Sequence, residues 1–254
     1  MTSSPTRRAP RRTDALTRER IVAAAVELLD AAGPDGLTFR VLTERLATGP
    51  GAIYHHVANK GELLEAATEA VVAEALAADP DSPAVAADSA TATAPAHRGP
   101  EPTPRQRIRA LALGLSDAIE RHPWLAGQFA AQISRGSRLP ATLRIFESVG
   151  RQVRALGVPE SAWFVATSAL MHYILGAAGQ NAANSAAARE LGPGASRTAF
   201  LDATATDWEG LDPEEFPFTR AVADQVRGHD DREQYLAGID LVLAGISALR
   251  QSAG

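Results

Sequence analysis

One stretch near the N-terminus, residues 38–64, constrains the fold of this chain more than any other. It reads TFRVLTERLATGPGAIYHHVANKGELL and places apolar residues at helical spacing on both sides of Gly49-Pro50. Glycine permits a tight turn, and proline is tolerated as the first residue of a following helix. The stretch therefore predicts a short helix, a sharp turn, a second short helix and the start of a third.

Capping and stop signals extend this pattern along the N-terminal part of the chain. Thr17 precedes an apolar helical face, and Gly33-Pro34 is a typical stop signal. Thr38 is placed to cap the next helix, and Asn59 with Glu62 resembles a capping box. The predicted helices span residues 17–32, 39–47, 50–56 and 60–78.

The rest of the chain also has helical patterning after an interruption. Residues 79–104 are rich in Pro, Ala, Ser and Thr and contain no aromatic residue, so they predict a flexible insert. Asp212-Pro213-Glu214-Glu215 resembles a helix start, Gly192–Gly194 a break and Gly228 a stop. No period-2 strand pattern is evident, so an all-α protein is predicted. Its C-terminal helices are expected around residues 108–119, 124–134, 143–156, 159–187, 196–209 and 231–250.

Composition excludes several classes of protein. The chain has no cysteine, which excludes disulfides, thiolate metal sites and cysteine nucleophiles. No apolar run is expected to reach the roughly 18 residues of a membrane span. Residues 1–14 contain arginines without an apolar segment, so they predict a disordered basic arm and not a secretory signal. A cytoplasmic protein with no membrane partner is expected.

The charge is distributed unevenly along the chain. Residues 1–60 carry nine basic and six acidic side chains, a net charge of +3, whereas the remainder carries 16 basic and 24 acidic ones, a net charge of -8. A basic N-terminal portion on an acidic body suits a protein that presents one end to phosphate. Ordinary surface variation gives the same numbers. The arginines of the arm are compatible with phosphate or minor-groove contacts and equally with a solvated tail.

A brace helix, a turn and a second helix form the layout of a helix-turn-helix, in which the second helix enters the DNA major groove. From Ala52 to Leu64 the sequence AIYHHVANKGELL closely resembles the TetR family of transcriptional regulators. The resemblance implies a three-helix DNA-binding domain over residues 15–65, with the motif at 38–57. A larger helical domain for ligand binding and dimerisation is then expected over residues 66–254.

The resemblance also implies roles for individual residues. Tyr54 and His55 match positions that touch phosphates or base edges, Lys60 one that binds phosphate, and Arg40 one that reads a guanine. Many members have Gly-Val-Ser where this chain has Ala47-Thr48-Gly49, so a hydroxyl often used on phosphate is missing. His55 and His56 are not a metal pair, because adjacent helical residues point about 100° apart. The predicted DNA-binding residues are Thr38, Arg40, Gly49, Pro50, Gly51, Ala52, Tyr54, His55, His56 and Lys60.

The C-terminal part resembles the tetracycline-repressor type of C-terminal domain more loosely, through His122-Pro123-Trp124, the run from Met171 to Gly176 and the Asp-Pro-Glu-Glu-Phe-Pro-Phe segment. The resemblance implies a homodimer through residues 160–187 and 231–250. It also implies a small-molecule effector site, although core packing is the simpler role for its aromatic members and Met171. Gln180 stands where the magnesium-tetracycline arrangement needs a glutamate, so no metal, cofactor or tetracycline is predicted. The predicted effector-binding residues are Leu111, Leu115, Phe129, Phe146, Phe164, Met171, His172, Gln180 and Asn181.

The leading hypothesis from the sequence is a homodimeric repressor, released from a palindromic operator by a small, largely apolar effector. A transcriptional activator and a helical protein that only sequesters a small molecule remain alternatives. No catalytic Ser/His/Asp order, phosphate loop or metal-ligand spacing was found, so an enzyme is not expected.

Overall fold

The structure, a computed structural model, describes residues 16–77, 101–134, 140–190 and 197–251. Every regular element in these ranges is helical, which confirms the all-α prediction. The predicted arm at 1–14, most of the predicted insert and the Gly192–Gly194 break lie outside the described residues. The α-helices are α1 (Arg18–Gly36), α2 (Phe39–Leu46), α3 (Pro50–Tyr54), α4 (Lys60–Leu76), α5 (Pro104–Arg121), α6 (Trp124–Ser134), α7 (Pro140–Ala155), α8 (Trp163–Glu190), α9 (Arg197–Glu209), α10 (Pro217–Arg227) and α11 (Asp231–Gln251).

The chain divides into two compact units, Met1–Ala67 and Thr68–Gly254, with the division inside α4. The first unit contains α1 to α3 and the start of α4. Its helices begin where the sequence predicts. The Thr17 hydroxyl accepts a hydrogen bond from the Arg20 amide at 3.3 Å, and the Thr38 hydroxyl accepts one from the Val41 amide at 3.2 Å. These caps satisfy amides that have no partner within their own helix.

The turn between α2 and α3 depends on Ala47, which adopts the left-handed conformation with φ 49°. Its amide donates to the Glu44 carbonyl at 3.3 Å, and the Thr48 amide donates to the Thr43 carbonyl at 3.1 Å. A left-handed alanine costs roughly 1–2 kcal/mol, which glycine avoids. The left-handed position of this turn is therefore occupied without glycine, and α3 begins at Pro50, directly after Gly49. The wholly buried core beneath it contains Ile21, Ala25, Leu37, Leu42, Ile53 and Leu63.

The second unit is built around α8, which packs against α5, α6, α7 and α11. Tyr235 of α11 is buried at the junction of three of these helices. Its hydroxyl lies 3.0 Å from the Ala112 carbonyl on α5 and 3.3 Å from the Ile174 carbonyl on α8. One side chain therefore ties the last helix to both of its neighbours.

Two glycines allow close approaches in this unit. A Cβ at Gly114 would lie 2.8 Å from the Ala75 carbonyl oxygen, so α4 and α5 could not pack as they do with a larger residue there. A Cβ at Gly238 would lie 1.9 Å from the Tyr173 hydroxyl. Tyr173 therefore occupies the space over α11 that this glycine leaves open.

One predicted helix start was wrong. The expected helix start at residues 212–215 is a turn, in which the Asp212 carboxylate accepts hydrogen bonds from the amides of Glu214 and Glu215 at 2.7 and 3.3 Å. Such a turn uses the same side-chain chemistry as a helix cap, and α10 begins only at Pro217. After the predicted insert, α5 begins at Pro104, where Thr103 and Gln106 form a capping box.

The expectation that no segment reaches the length of a membrane span also needs correction. Glu160–Ala187 is long and apolar enough by length and composition, with a mean hydropathy of 1.2. The core helix of a soluble protein passes the same test, and α8 packs against four other helices.

Candidate DNA interface and effector cavity

The C-terminal end of α3 presents an exposed aromatic side chain held by a stacking contact. The Tyr54 ring stacks on Phe39, with centroids 4.7 Å apart and planes within 9° of parallel. Tyr54 nevertheless remains 53% exposed. The stack fixes the ring while leaving it accessible to a partner.

Arg40, in the first turn of α2, is strongly exposed. Its side chain is 88% exposed, and its Nε lies 3.1 Å from Oε1 of Glu44, one helical turn further on. Exposed pairs of this kind contribute only about 0.3–0.5 kcal/mol to stability. The pair therefore matters more for where the guanidinium lies than for how stable the helix is.

Lys60 is the first residue of α4, where the N-terminal amides add a partial positive charge. The Asn59 side chain accepts a hydrogen bond from the Glu62 amide at 2.9 Å, and the Glu62 carboxylate accepts one from the Ala58 amide at 2.8 Å. This reciprocal arrangement is close to the predicted capping box. It fixes the backbone that carries Lys60.

The two histidines of the motif differ in exposure, since His55 is exposed and His56 is half-buried. Glu19 carries a negative charge near His56. Its own backbone amide is the main cause that lowers the pKa of Glu19, with smaller contributions from Thr17, Arg18 and His56.

The α2–α3 turn and the start of α3 offer few side-chain hydrogen-bonding groups. Gly49, Pro50 and Gly51 are exposed and Ala52 is half-buried, but none of them has a side-chain donor or acceptor. Thr38 uses its hydroxyl as the α2 cap. Five of the ten predicted DNA-binding residues combine exposure or part exposure with a polar group free of a capping role, namely Arg40, Tyr54, His55, His56 and Lys60.

In the second unit, a cavity of about 330 Å³ lies between α7 and α8. The rings of Phe146 and Phe164 lie 6.1 Å apart and tilted by 45° at this cavity. Four predicted effector residues meet here, and three further residues complete the wall. The lining consists of Thr142, Leu143, Phe146, Phe164, Ser168, Met171 and His172.

The other predicted effector residues lie elsewhere. Leu111, Leu115 and Phe129 are buried among the core residues and do not line this cavity. Gln180 is exposed and donates to the Asn184 side chain at 3.0 Å. Asn181 donates to the Asp231 carbonyl at 3.3 Å and lines a different cavity.

That second cavity, of about 270 Å³, is polar. Arg197 forms two hydrogen bonds to the Asp231 carboxylate, at 2.9 and 2.8 Å, and His229 Nε2 lies 2.8 Å from the same carboxylate. These pairs fix the start of α11 against the start of α9. No sequence pattern indicates this cluster, because its residues are scattered along the chain.

Sequence reasoning also missed Phe39 and Glu44 beside the predicted DNA contacts. The spacing of four residues between Arg40 and Glu44 was a usable signal, whereas the Phe39 stack depends on how α2 and α3 cross. Thr142 and Ser168 gave no signal, because isolated hydroxyl residues in helices are common. Within the described ranges, no three His, Asp or Glu side chains come together as metal ligands.

A three-helix unit with a helix-turn-helix, followed by a larger helical unit with an apolar cavity, defines the class of ligand-binding transcriptional regulators. Two family models match the chain. Bacterial regulatory proteins of the tetR family match residues 21–67, and the tetracyclin repressor-like C-terminal domain matches residues 99–250. The chain belongs to the TetR family of transcriptional regulators, with a DNA-binding and a ligand-binding domain.

Individual relatives agree with this assignment. A TetR transcriptional regulator from Streptomyces coelicolor is 60% identical, with a TM-score of 0.77 over 92% of this chain and 99% of that chain. The tetracycline repressor class A of Escherichia coli is 48% identical over 54 residues, which are 21% of this chain and only 25% of that repressor. Streptomyces coelicolor ActR in complex with actinorhodin is 23% identical and shares the fold, with a TM-score of 0.68 over 92% of this chain and 97% of that one.

Proposed function

We propose that the protein is a homodimeric, cytoplasmic repressor without catalytic activity, released from a palindromic operator by a small, largely apolar effector. The observation that carries the proposal is the exposed polar surface of α2 to α4 around Arg40, Tyr54 and Lys60. A surface of this composition suits a DNA duplex, because arginine can read base edges while tyrosine and lysine contact phosphates.

Arg40 and Lys60 have different proposed roles. Arg40 projects from α2 and suits a bidentate contact with guanine O6 and N7. Lys60 lies at the N-terminus of a 17-residue helix, where its ammonium and the helix dipole both attract phosphate. A base contact gives sequence specificity, whereas a phosphate contact gives affinity for any sequence.

Separate substitutions are expected to distinguish these two roles. Arg40→Ala should lose roughly 1–3 kcal/mol of operator affinity and relax specificity at one base pair per half-site. Lys60→Ala should weaken binding to operator and random DNA equally and reduce the salt slope by about one charge. The measurement is a binding titration against salt on both DNAs. Equal effects of both substitutions on specificity and salt slope would overturn the assignment.

The homodimer is supported by two exposed stripes with almost no charge. The α8 stripe comprises Val165, Ala169, His172, Gly176, Gln180 and Ala183, and the α11 stripe Ala237, Leu241, Ala244, Gly245, Ala248 and Leu249. Among the described residues, a Cβ at Gly176 or Gly245 would meet nothing within 4 Å, so packing among them gives no reason for a residue that weakens a helix. Close approach to the same helices of a second copy would explain these glycines. C₂ dimers are also the commonest assembly.

The effector is proposed to bind in the cavity between α7 and α8. The cavity's volume is near the lower end of the usual range of about 300–1,000 Å³ for small-molecule sites. Its wall is mainly aromatic and aliphatic, with His172, Ser168 and Thr142 as polar groups and no lysine, arginine or carboxylate. An uncharged aromatic compound suits this wall, because an ion would lose its hydration without gaining a partner.

Two fluorescent probes with the same skeleton test this choice. N-phenyl-1-naphthylamine is uncharged, and 8-anilinonaphthalene-1-sulfonate adds one negative charge. The uncharged probe should bind at least about tenfold more tightly, since one unfavourable charge burial exceeds 1.4 kcal/mol. Ser168→Phe, which fills the cavity, should weaken this binding, whereas Ser185→Phe on the same helix should not. Equal binding of both probes, or equal effects of both substitutions, would contradict the proposed site.

Effector binding can release the operator only if it favours a dimer geometry with a different separation of the two DNA-binding domains. Half-sites one helical turn apart require about 34 Å between these domains. The coupling is reciprocal, so operator DNA should weaken effector binding by the same factor.

The proposal is tested by a gel shift on the intergenic DNA beside the gene, against increasing salt and random competitor. A nanomolar, competitor-resistant complex with two chains per operator supports it. Weak binding without sequence preference would favour the alternative in which the protein only sequesters a ligand. Transcription assays on the same DNA would separate a repressor from an activator.

A further inference from the structure

The α2–α3 region of this chain has an unusual distribution of hydrogen-bonding groups. The residues from Gly49 to Ile53, which lead into and form most of α3, have no side-chain donor or acceptor. Ile53 is also wholly buried. Because base pairs in the major groove are distinguished mainly by their donors and acceptors, this segment can approach DNA closely but cannot distinguish bases by side-chain hydrogen bonds.

The adjacent surface of α2 has the groups that α3 lacks. Arg40 and Glu44 stand four residues apart on one face of α2, with side chains 88% and 63% exposed. The contact between them, 3.1 Å from Nε to Oε1, uses the inner edge of the guanidinium. Among the described residues, no other side chain accepts a hydrogen bond from Arg40, so its two terminal nitrogens stay available.

We propose that Glu44 is a specificity-determining residue that positions Arg40 for one guanine in each half-site. The inference rests on the proposed function, namely that α2 and α3 contact operator DNA. Glu44 holds Nε, and the Nη1 and Nη2 groups then present two parallel donors to the O6 and N7 atoms of guanine. Glu44 acts through Arg40 and is a positioning residue.

The carboxylate has a second consequence for specificity. A free arginine on a flexible side chain can turn to the nearest phosphate, which is present in every sequence. Glu44 opposes this movement because it holds the guanidinium at Nε. The pair thus lowers affinity for random DNA while it raises discrimination at one base pair.

This arrangement makes a prediction that a purely structural role does not make. Glu44→Gln should strengthen binding to random DNA and lower the ratio of operator to random affinity by roughly tenfold, within the range of one bidentate base contact. Discrimination should be lost at the same G·C pair at which Arg40→Ala relaxes specificity. The double substitution should discriminate no worse than Arg40→Ala alone, because Glu44 acts only through that arginine.

The experiment uses the full-length protein and an operator selected from randomised DNA by the wild type. Each G·C pair of a half-site is exchanged in turn, and dissociation constants are measured for wild type, Glu44→Gln and Glu44→Ala. Glu27→Gln is the matched control, because Glu27 also pairs with an exposed arginine, Arg45, in the same unit. This control should change operator and random DNA affinity by the same factor. Thermal melts show that each variant is folded.

The possible outcomes separate the inference from the proposed function. If the operator is bound specifically but both Glu44 variants leave discrimination unchanged at every position, the inference is wrong and the proposed function stands. If the loss of discrimination persists in the Arg40→Ala background, Glu44 does not act through Arg40 and the inference is also wrong. If the wild type selects no operator over random DNA, the proposed function fails, and the inference fails with it.

Discussion

Gly176→Glu should convert the proposed dimer into monomers and weaken operator binding by at least about a hundredfold. Gly176 lies in the middle of the α8 stripe, and a Cβ there would meet no atom of the described residues within 4 Å. The monomer should therefore tolerate the substitution and even gain helix propensity. At a two-fold axis, however, two like charges would be buried without partners, and each unpaired buried charge costs about 3–5 kcal/mol.

Gly127→Glu is the matched control for this prediction. Gly127 is also an exposed helical glycine with nothing within 4 Å of an added Cβ, but it lies on α6 and outside both stripes. Light scattering coupled to size exclusion gives the mass of each variant, and gel shifts give its operator affinity. A Gly176→Glu protein that remains dimeric would place the interface away from the α8 stripe. If the monomers bound the operator as tightly as wild type, dimerisation would not be required for DNA recognition.

The helix starts of the first unit could be predicted because they depend on local chemistry. Thr17 and Thr38 cap α1 and α2, the helices that they immediately precede in the sequence. The same local logic misjudged Asp212, because an aspartate that binds amides two and three residues ahead can start a helix or close a turn. Which of the two forms depends on whether the following residues can bury an apolar face.

The candidate sites were predictable to different degrees. The proposed DNA-binding residues lie within one short segment, so sequence spacing alone brings them near one another. The cavity combines α7 and α8, and its lining depends on tertiary packing that no spacing rule contains. Leu115 and Phe146 look alike in a sequence, yet the first is wholly buried in the core and the second lines the cavity. The role of Phe39 could be recognised only from its stacking contact with Tyr54 in the structure.

Tyr235→Ala should cost about 3–5 kcal/mol of the free energy of unfolding, the usual range for removing a buried aromatic ring. The ring is 1% exposed and stacks beside Tyr173, with centroids 6.1 Å apart. Its loss would leave a cavity where α11 meets α5 and α8. Tyr235→Phe keeps the ring and removes the hydrogen bond to the Ala112 carbonyl, so it should cost only about 0.5–1.5 kcal/mol.

The hydroxyl also predicts how this stability depends on pH. Burial raises the pKa of Tyr235, with smaller effects from Tyr173 and Asp117, and burial also raises the pKa of Tyr173. A tyrosine in the unfolded chain releases its proton near pH 10, before the folded one does. The stability that comes from the raised pKa is therefore complete below about pH 10 and is lost as the pH rises further. Tyr235→Phe should make that loss less steep.

Urea unfolding followed by circular dichroism, from pH 7 to pH 11, measures both effects. Phe218→Ala is the control, because this aromatic residue is 76% exposed on α10 and its removal should change stability by less than about 0.5 kcal/mol. If Tyr235→Ala cost no more than Phe218→Ala, Tyr235 would not hold α11 against α5 and α8. If Tyr235→Phe lost stability above pH 10 as steeply as wild type, another group would cause the alkaline loss. A large cost for Tyr235→Ala with a small one for Tyr235→Phe would mean that the ring contributes more than the hydroxyl.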